Sequence, residues 1–192
     1  MLGTRKAVEV SFIYLYIKIE PEALWKALRR HRINEDFVRV IEAIYHSPKF
    51  QVRDGQHTSQ PERAYTGIRQ GCPLSPYLFL LVHSAVMWDV QKDIEEEQGT
   101  LPYVHSANRP LFDLAYADDT LILARSAQTT EKVLRAVQRR AAQYNLKLNR
   151  GKCEMIRMHS QEVVRFQEGE EVKAVSQAKY LGVVMAQDGS AR

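Results

Sequence analysis

Tyr116-Ala117-Asp118-Asp119 places two carboxylates on consecutive residues between apolar stretches. Successive strand residues face opposite ways, so both acids can reach one metal cluster only from a turn. Hard carboxylate oxygens suit Mg²⁺, which takes octahedral oxygen coordination from a few carboxylates and substrate phosphates. Two such ions activate an attacking oxygen and stabilise a leaving one. Paired acids are also ordinary solvated turn residues, which is the default reading of an isolated pair. A second block, Gly67-Ile68-Arg69-Gln70-Gly71-Cys72-Pro73-Leu74-Ser75-Pro76, is a glycine-bearing loop feeding a helix. Such a loop can bring backbone and the Gln70 amide close to a nucleotide or template base, and it can equally be structural. The two blocks in this order, with a helix between them, are specific.

The elements that must position these residues follow from periodicity and punctuation. Residues 8–19, apolar and rich in β-branched and aromatic side chains, read as a buried strand. Pro21 opens a helix with Leu24 and Leu28 at helical spacing. A second helix is expected over 34–45, with Phe37, Val40, Ile41 and Ile44 on one face. Residues 49–53 and 62–66 flank Asp54-Gly55 as an irregular hairpin. Ser75-Pro76 marks a helix start, with Ser75 as cap and Leu74 stapling onto Phe79. That helix runs to Gln98 with Gly99 as its stop, and its stripe includes Leu78, Leu81, Val82, Ala85 and Trp88. Strands at 111–117 and 120–124 carry the acids at their junction. A helix follows over 127–144, with Val133, Val137 and Ala141 inward and Asn145 left-handed at its end. Then come a strand at 153–158, a hairpin at 163–175 and a last strand at 179–185. The order β-α-β-β-α-β is that of a split βαβ, ferredoxin-like α+β fold, an antiparallel sheet backed by helices. In it the acidic tip and the end of the first strand meet at one edge.

Composition sets outer limits. The chain has 192 residues, a formal charge of +4 and 45% hydrophobic side chains, enough for one good core. Cys72 and Cys153 stand far apart with no metal-knuckle spacing, which excludes a disulfide scaffold. The longest apolar run, 77–88, contains His83 and is well short of the about 20 residues that span a bilayer. The opening residues lack an apolar stretch followed by a small-residue cleavage site, so an intracellular chain with no membrane partner is expected. Between residues 127 and 157, eight Lys/Arg stand against two Glu. Such a face can track phosphates or simply be solvated.

GIRQGCPLSPYLF resembles motif B and AYADDTLILA resembles motif C of reverse transcriptases, in particular those of non-LTR (LINE-type) retrotransposons. The similarity continues through LKLNRGKCEMI, like motif D, and KYLGVVM, like the primer-grip region. PEALWKALRRHRI resembles the helix after motif A. The resemblance implies a polymerase palm that performs RNA-templated DNA synthesis by two-metal nucleotidyl transfer. Its partners would be an RNA template, a DNA primer and deoxynucleoside triphosphates, and its cofactor Mg²⁺, with Mn²⁺ an alternative. On this resemblance Asp118 is a metal ligand and Asp119 an auxiliary one. Gln70, Gly71 and Tyr116 belong beside the incoming nucleotide and template. Lys152 is the motif D lysine that protonates pyrophosphate, a solvated turn lysine being the plain alternative. Tyr180, Leu181 and Gly182 lie near the primer terminus.

Motif A departs from the family pattern. An ungapped alignment anchored on Pro21 to His31 puts Ser11 where the metal-binding aspartate belongs and Tyr16 where an aromatic screens the ribose 2′-hydroxyl. No Asp or Glu occurs between Glu9 and Glu20. A neutral hydroxyl does not replace a carboxylate that bridges two divalent ions. The expected organisation is a divergent segment at 1–17 and a partial palm-type domain at 18–192, with partial fingers and no thumb. The expected activity is impaired, the alternatives being a noncatalytic nucleic-acid-binding module or a retroelement relic.

Overall fold

The computed structural model describes residues 6–11, 19–63, 67–68, 72–98, 104–106, 109–111, 113–116, 119–124, 126–158 and 161–191, with backbone alone for 6–11, 98, 104–106, 109–111 and 116. Strand β1 spans Lys6–Ser11, so the expected strand is seen in its first part and residues 12–18 lie outside the description. Helix α1 is Pro21–Arg30, opened by its proline and burying Leu24 and Leu28. Helix α2 is Glu35–Tyr45, and the Asn34 side chain caps it by accepting from the Asp36 N–H. The short ribbons β2 (Lys49–Phe50), β3 (Arg53–Asp54), β4 (His57–Thr58) and β5 (Glu62–Arg63) form the irregular hairpin, β2 pairing β5 and β3 pairing β4. Gly55 turns it at φ +57°, where a side chain is costly. Helix α3 is Ser75–Gln98. Then follow β6 (Val104–Ser106), β7 (Arg109–Leu111), β8 (Asp113–Tyr116), β9 (Asp119–Ala124), α4 (Ala127–Ala142), β10 (Glu154–Ile156), β11 (Lys173–Val175), β12 (Gln177–Tyr180) and β13 (Val183–Ala186).

Several expectations are corrected. In α2 the buried seam is Val38 and Tyr45, one heptad apart, and the face bearing Phe37, Val40 and Ile44 is exposed, Phe37 by 67%. In α3 the stripe of Leu78, Val82 and Ala85 is buried as read, but Trp88 is 65% exposed. At about 100° per residue Trp88 shares an outer arc with Tyr77, Leu80 and Ser84. Ser75 is the first helical residue rather than the cap: the Leu74 carbonyl accepts from the Leu78 N–H, and the Ser75 hydroxyl lies 3.4 Å from the Tyr45 hydroxyl. Gly99 falls outside the described residues. The β6–β7 hairpin has no counterpart in the sequence reading.

The chain forms two compact units. One comprises Tyr14–Val86 and Gln143–Leu146. In it Trp25 meets Tyr45 edge-on at 6.4 Å, Lys26 lies over the Tyr144 ring, and the Gly67 N–H reaches the Ile19 carbonyl. Asn145, left-handed as expected at φ 55°, donates to Glu20. His83 is buried against Phe79, and burial holds its imidazole neutral with a pKa lowered to about 4.

The other unit comprises Met1–Ile13, Met87–Ala142 and Lys147–Arg192. Its five-stranded sheet has the order β11-β10-β1-β9-β8. Leaving aside the edge strand β11, the strands run fourth, first, third, second, all antiparallel neighbours, the order of the split βαβ arrangement. Buried residues in β9 are nearly continuous, so both faces of the strand are covered. Helix α4 packs on β9 and buries Val133, Leu134, Val137 and Ala141. Leu121, with Leu123 beside it, clusters with Tyr180 and Met185 of the β12–β13 hairpin.

Within this unit α3 and α4 are clamped by charge. Asp93, 7% exposed, receives the Arg140 guanidinium through Nε at 2.8 Å and a terminal nitrogen, and the Arg139 guanidinium at 2.8 Å. Arg139 and Arg140 are therefore committed to an internal acid, contrary to a purely solvated basic face. Hydrogen bonds from Arg140, then Arg139, outweigh burial and lower the Asp93 carboxyl from 3.8 to about 2. A lowered carboxyl stabilises the fold fully above its unfolded pKa, and that stabilisation disappears as pH falls towards the folded one. Chemical denaturation across pH should show a loss of stability between about pH 4 and 2 that Asp93→Asn largely removes. Arg139→Gln combined with Arg140→Gln should lower the denaturation midpoint at neutral pH, because it leaves a buried carboxylate without its partners.

Candidate functional site

The registers bring one end of the sheet to a point. Asp119, the first residue of β9 and half-buried, is the Cα partner of Ser11 in β1 on one side and of Tyr116 in β8 on the other. The link between Tyr116 and Asp119 is the two residues Ala117 and Asp118, which lie outside the described set, as does the Tyr116 side chain. β10 pairs β1 with Glu154 opposite Glu9, and Lys152 sits in the tight 3₁₀ turn Arg150–Lys152 that enters β10. That turn is at the same end of the sheet as Ser11. Neighbouring strands are about 4.8 Å apart. Ser11, Asp119 and the Lys152 turn thus occupy one row across β9, β1 and β10. Gln70, Gly71 and Tyr16 lie outside the described residues, so their placement adds nothing to this row.

The loop into α3 is described from Cys72. Its thiol is lowered from the ordinary range, first by the Leu74 N–H and then by the Ser75 hydroxyl, against an opposing effect of burial. Burial raises the Asp113 carboxyl at the start of β8 above its usual range. Cys72 drew notice in the sequence only for its spacing from Cys153 and Asp113 drew none, because neither the turn that aims the Leu74 N–H at the thiol nor the burial of Asp113 is visible before folding.

Tyr180, Leu181 and Gly182 are placed differently from the single strand expected over 179–185. β12 and β13 are an antiparallel hairpin in which Tyr180 pairs Val183 and Leu181-Gly182 are the two turn residues. Both have positive φ, 50° and 87°, the signature of a primed two-residue turn whose twist matches its strands. The glycine was the available signal; the leucine conceals it, since branched side chains rarely enter the left-handed region. The Tyr180 hydroxyl donates to the Leu114 carbonyl at 2.9 Å, tying the hairpin to β8 two residues before Tyr116. Leu181 is exposed at the tip.

The catalogued pattern for reverse transcriptase (RNA-dependent DNA polymerase) matches residues 7–185. The chain belongs to the reverse transcriptase family. It is 26% identical over 179 residues to the Retrovirus-related Pol polyprotein from type-1 retrotransposable element R2 of Nasonia vitripennis, an alignment covering 86% of this chain and 17% of that protein. Apo telomerase of Candida tropicalis, truncated from its C-terminal domain, superposes with a TM-score of 0.68 at 12% identity, covering 100% of this chain and 36% of that one. Candida albicans telomerase in complex with a TWJ fragment of telomeric RNA superposes at 0.60 and 11% identity, covering 99% and 30%. At such identities the likeness concerns the fold. This reverse transcriptase chain spans about a sixth of the retrotransposon protein and about a third of the telomerase chains. No helix among its described residues is long and apolar enough to cross a membrane.

Two substitutions test the hairpin. Tyr180→Phe removes one hydrogen bond from a buried ring and should cost about 1 kcal/mol in urea denaturation. Leu181→Asn relieves the left-handed strain and should gain about 1 kcal/mol.

Proposed function

We propose that the chain is the palm core of a non-LTR retrotransposon reverse transcriptase domain, and that nucleotidyl transfer by it is strongly impaired because Ser11 stands where the third metal-binding acid is required. The observation that carries this reading is the pairing of Ser11 with Asp119 at the sheet end. A strand residue beside the acidic tip is the place from which a third carboxylate would reach the same cation.

In this reading Asp118 and Asp119 supply carboxylate oxygens, a donor set that suits Mg²⁺ or Mn²⁺ in kind. Bound there, the cations would activate the primer 3′-oxygen and neutralise charge on the departing pyrophosphate. Ser11 contributes only a neutral hydroxyl, so the tip holds cations weakly. Lys152, at the same sheet end, donates a proton to the leaving group. The Tyr180-Leu181-Gly182 turn, anchored on Leu114, holds the primer terminus. Gln70, Gly71, Tyr16 and Tyr116 position the deoxynucleoside triphosphate and the RNA template. Residues 1–17 are the part that diverges from the motif A pattern while still supplying β1 to the sheet, and 18–192 carry the rest of the palm-type domain.

The same serine favours a second reading, a palm that retains nucleic-acid binding without chemistry. Here too the partners are an RNA template and a DNA primer, held through phosphate contacts.

Primer extension on RNA templates tests the impairment, and the response to a restored acid tests the role of position 11. With Mg²⁺ or Mn²⁺ the chain should incorporate no more nucleotide than the Asp118→Asn/Asp119→Asn double variant. Ser11→Asp should tighten Mg²⁺ binding several-fold in calorimetry and raise incorporation. Clear template-dependent synthesis by the unaltered chain would overturn the impairment.

A further inference from the structure

Along α3 one narrow arc stays uncovered. The helix buries Leu78, Val82, Ala85, Val90 and Ile94, while Tyr77, Leu80 and Trp88 stand exposed, Tyr77 by 67%. At about 100° per residue these three, with Ser84, Gln91 and Glu95, fall within about 80° of one another. That relation is set by the helix backbone alone. The apolar part, from Tyr77 to Trp88, is about 17 Å long. Exposed tryptophan and tyrosine on one contiguous apolar stripe mark a protein contact, because both side chains bury a large area at low entropic cost.

The stripe has a two-fold order in its own sequence. Leu80 and Trp88 stand four residues on either side of Ser84, and Tyr77 and Gln91 stand seven. An antiparallel copy of the same helix, centred on Ser84, therefore lays Leu80 against Trp88 and Tyr77 against Gln91, twice over. Ser84 meets its own copy on the axis, and its small side chain lets the helices approach to the usual distance of about 8–10 Å.

Charge points the same way. α3 has no acid in its first turn and no base in its last. Of the glutamates at its end, Glu97 is paired with Arg139 and Glu96 with Lys92, whereas Glu95 accepts from the Gln91 amide at 3.4 Å and forms no ion pair with a described residue. A carboxylate at the negative end of a helix dipole is unfavourably placed. Glu95 stands eleven residues after Ser84 and Pro73 eleven before it, so in the antiparallel pair each Glu95 comes to the positive end of the other copy's helix.

We propose that α3 is a homodimerisation surface, through which two copies of this chain pair antiparallel about a two-fold axis at Ser84. A stripe one helix wide falls well short of the about 800 Å² per partner that stable complexes bury. The dimer is therefore weak and reversible, held chiefly by Trp88 and Tyr77. Nothing in it depends on Ser11, on metal or on DNA synthesis, so its failure is distinct from failure of the polymerase reading.

The test follows the whole chain by sedimentation velocity at increasing micromolar concentration, where the unaltered chain should pass from monomer to dimer. Trp88→Ala removes an exposed side chain from both copies and should weaken association at least about tenfold with circular dichroism unchanged. Glu95→Gln should weaken it several-fold at low salt and have no effect at high salt. Ser84→Cys should give a disulfide-linked dimer on air oxidation, because the axis brings the two thiols together. Glu96→Cys, which lies off the arc and far from its copy, should not, and neither should the unaltered chain with Cys72 and Cys153. A chain that is monomeric at every concentration overturns the proposal, as does a dimer that Trp88→Ala leaves intact or that Ser84→Cys fails to link. A monomeric chain whose Trp88 fluorescence, identified by its loss in Trp88→Phe, is quenched by a single-stranded oligonucleotide assigns the stripe to nucleic acid and likewise overturns it.

Discussion

The pairing of β1 with strands on both sides is the constraint on which the site depends. β1 is held by β9 along its whole length and by β10 over part of it. Strand side chains alternate with a period of two, so a slip of one residue would exchange every inward and outward position. Such a slip is forbidden by β9, whose two faces are both occupied: Thr120, Ile122 and Ala124 are buried on one, and Leu121 joins the Tyr180 cluster on the other. With β9 fixed, Asp119 must stand at the strand end, and with the ladder fixed, Ser11 must stand beside it. The position of the serine is a consequence of packing several residues away from the acids.

The hairpin β12–β13 belongs to the same constraint. Tyr180 covers Leu121 and also bonds to the backbone of β8, so one side chain fixes the turn against both strands that flank the acidic tip. A residue in left-handed strain at the tip persists because the surrounding contacts over-determine it. The turn is thereby held near the end of the sheet that carries Asp119, while its exposed leucine remains available for contact.

Charge is distributed more economically than the composition suggests. A formal +4 and a basic stretch before residue 157 look like a field for polyanions. Folding pairs four of the five arginines between residues 127 and 157 with carboxylates, two of them with the buried Asp93, which bridges α4 to α3. The stretch is therefore not a uniform basic face, since its arginines are largely offset by acids of the same chain.

The sequence by itself determined the family, the motif order and the kinds of element: the proline at the start of α1, the helices α3 and α4, and acids between two short strands are all local signals of spacing and propensity. It also determined that no acid lies near position 11, since that is a matter of residue identity. Tertiary structure decided which faces are covered. Phe37 and Trp88 have the hydrophobicity of core residues, but whether a second surface arrives to bury them is not encoded in their own periodicity. It also divided residues 177–186 into a hairpin, because a positive φ at Leu181 is tolerated only when the strands on either side are pinned. The pairing of Ser11 with Asp119 and the bridging of Asp93 by Arg139 and Arg140 arise in the same way. Both join residues distant in the chain, and only the register of the sheet and the packing of α3 against α4 settle who meets whom.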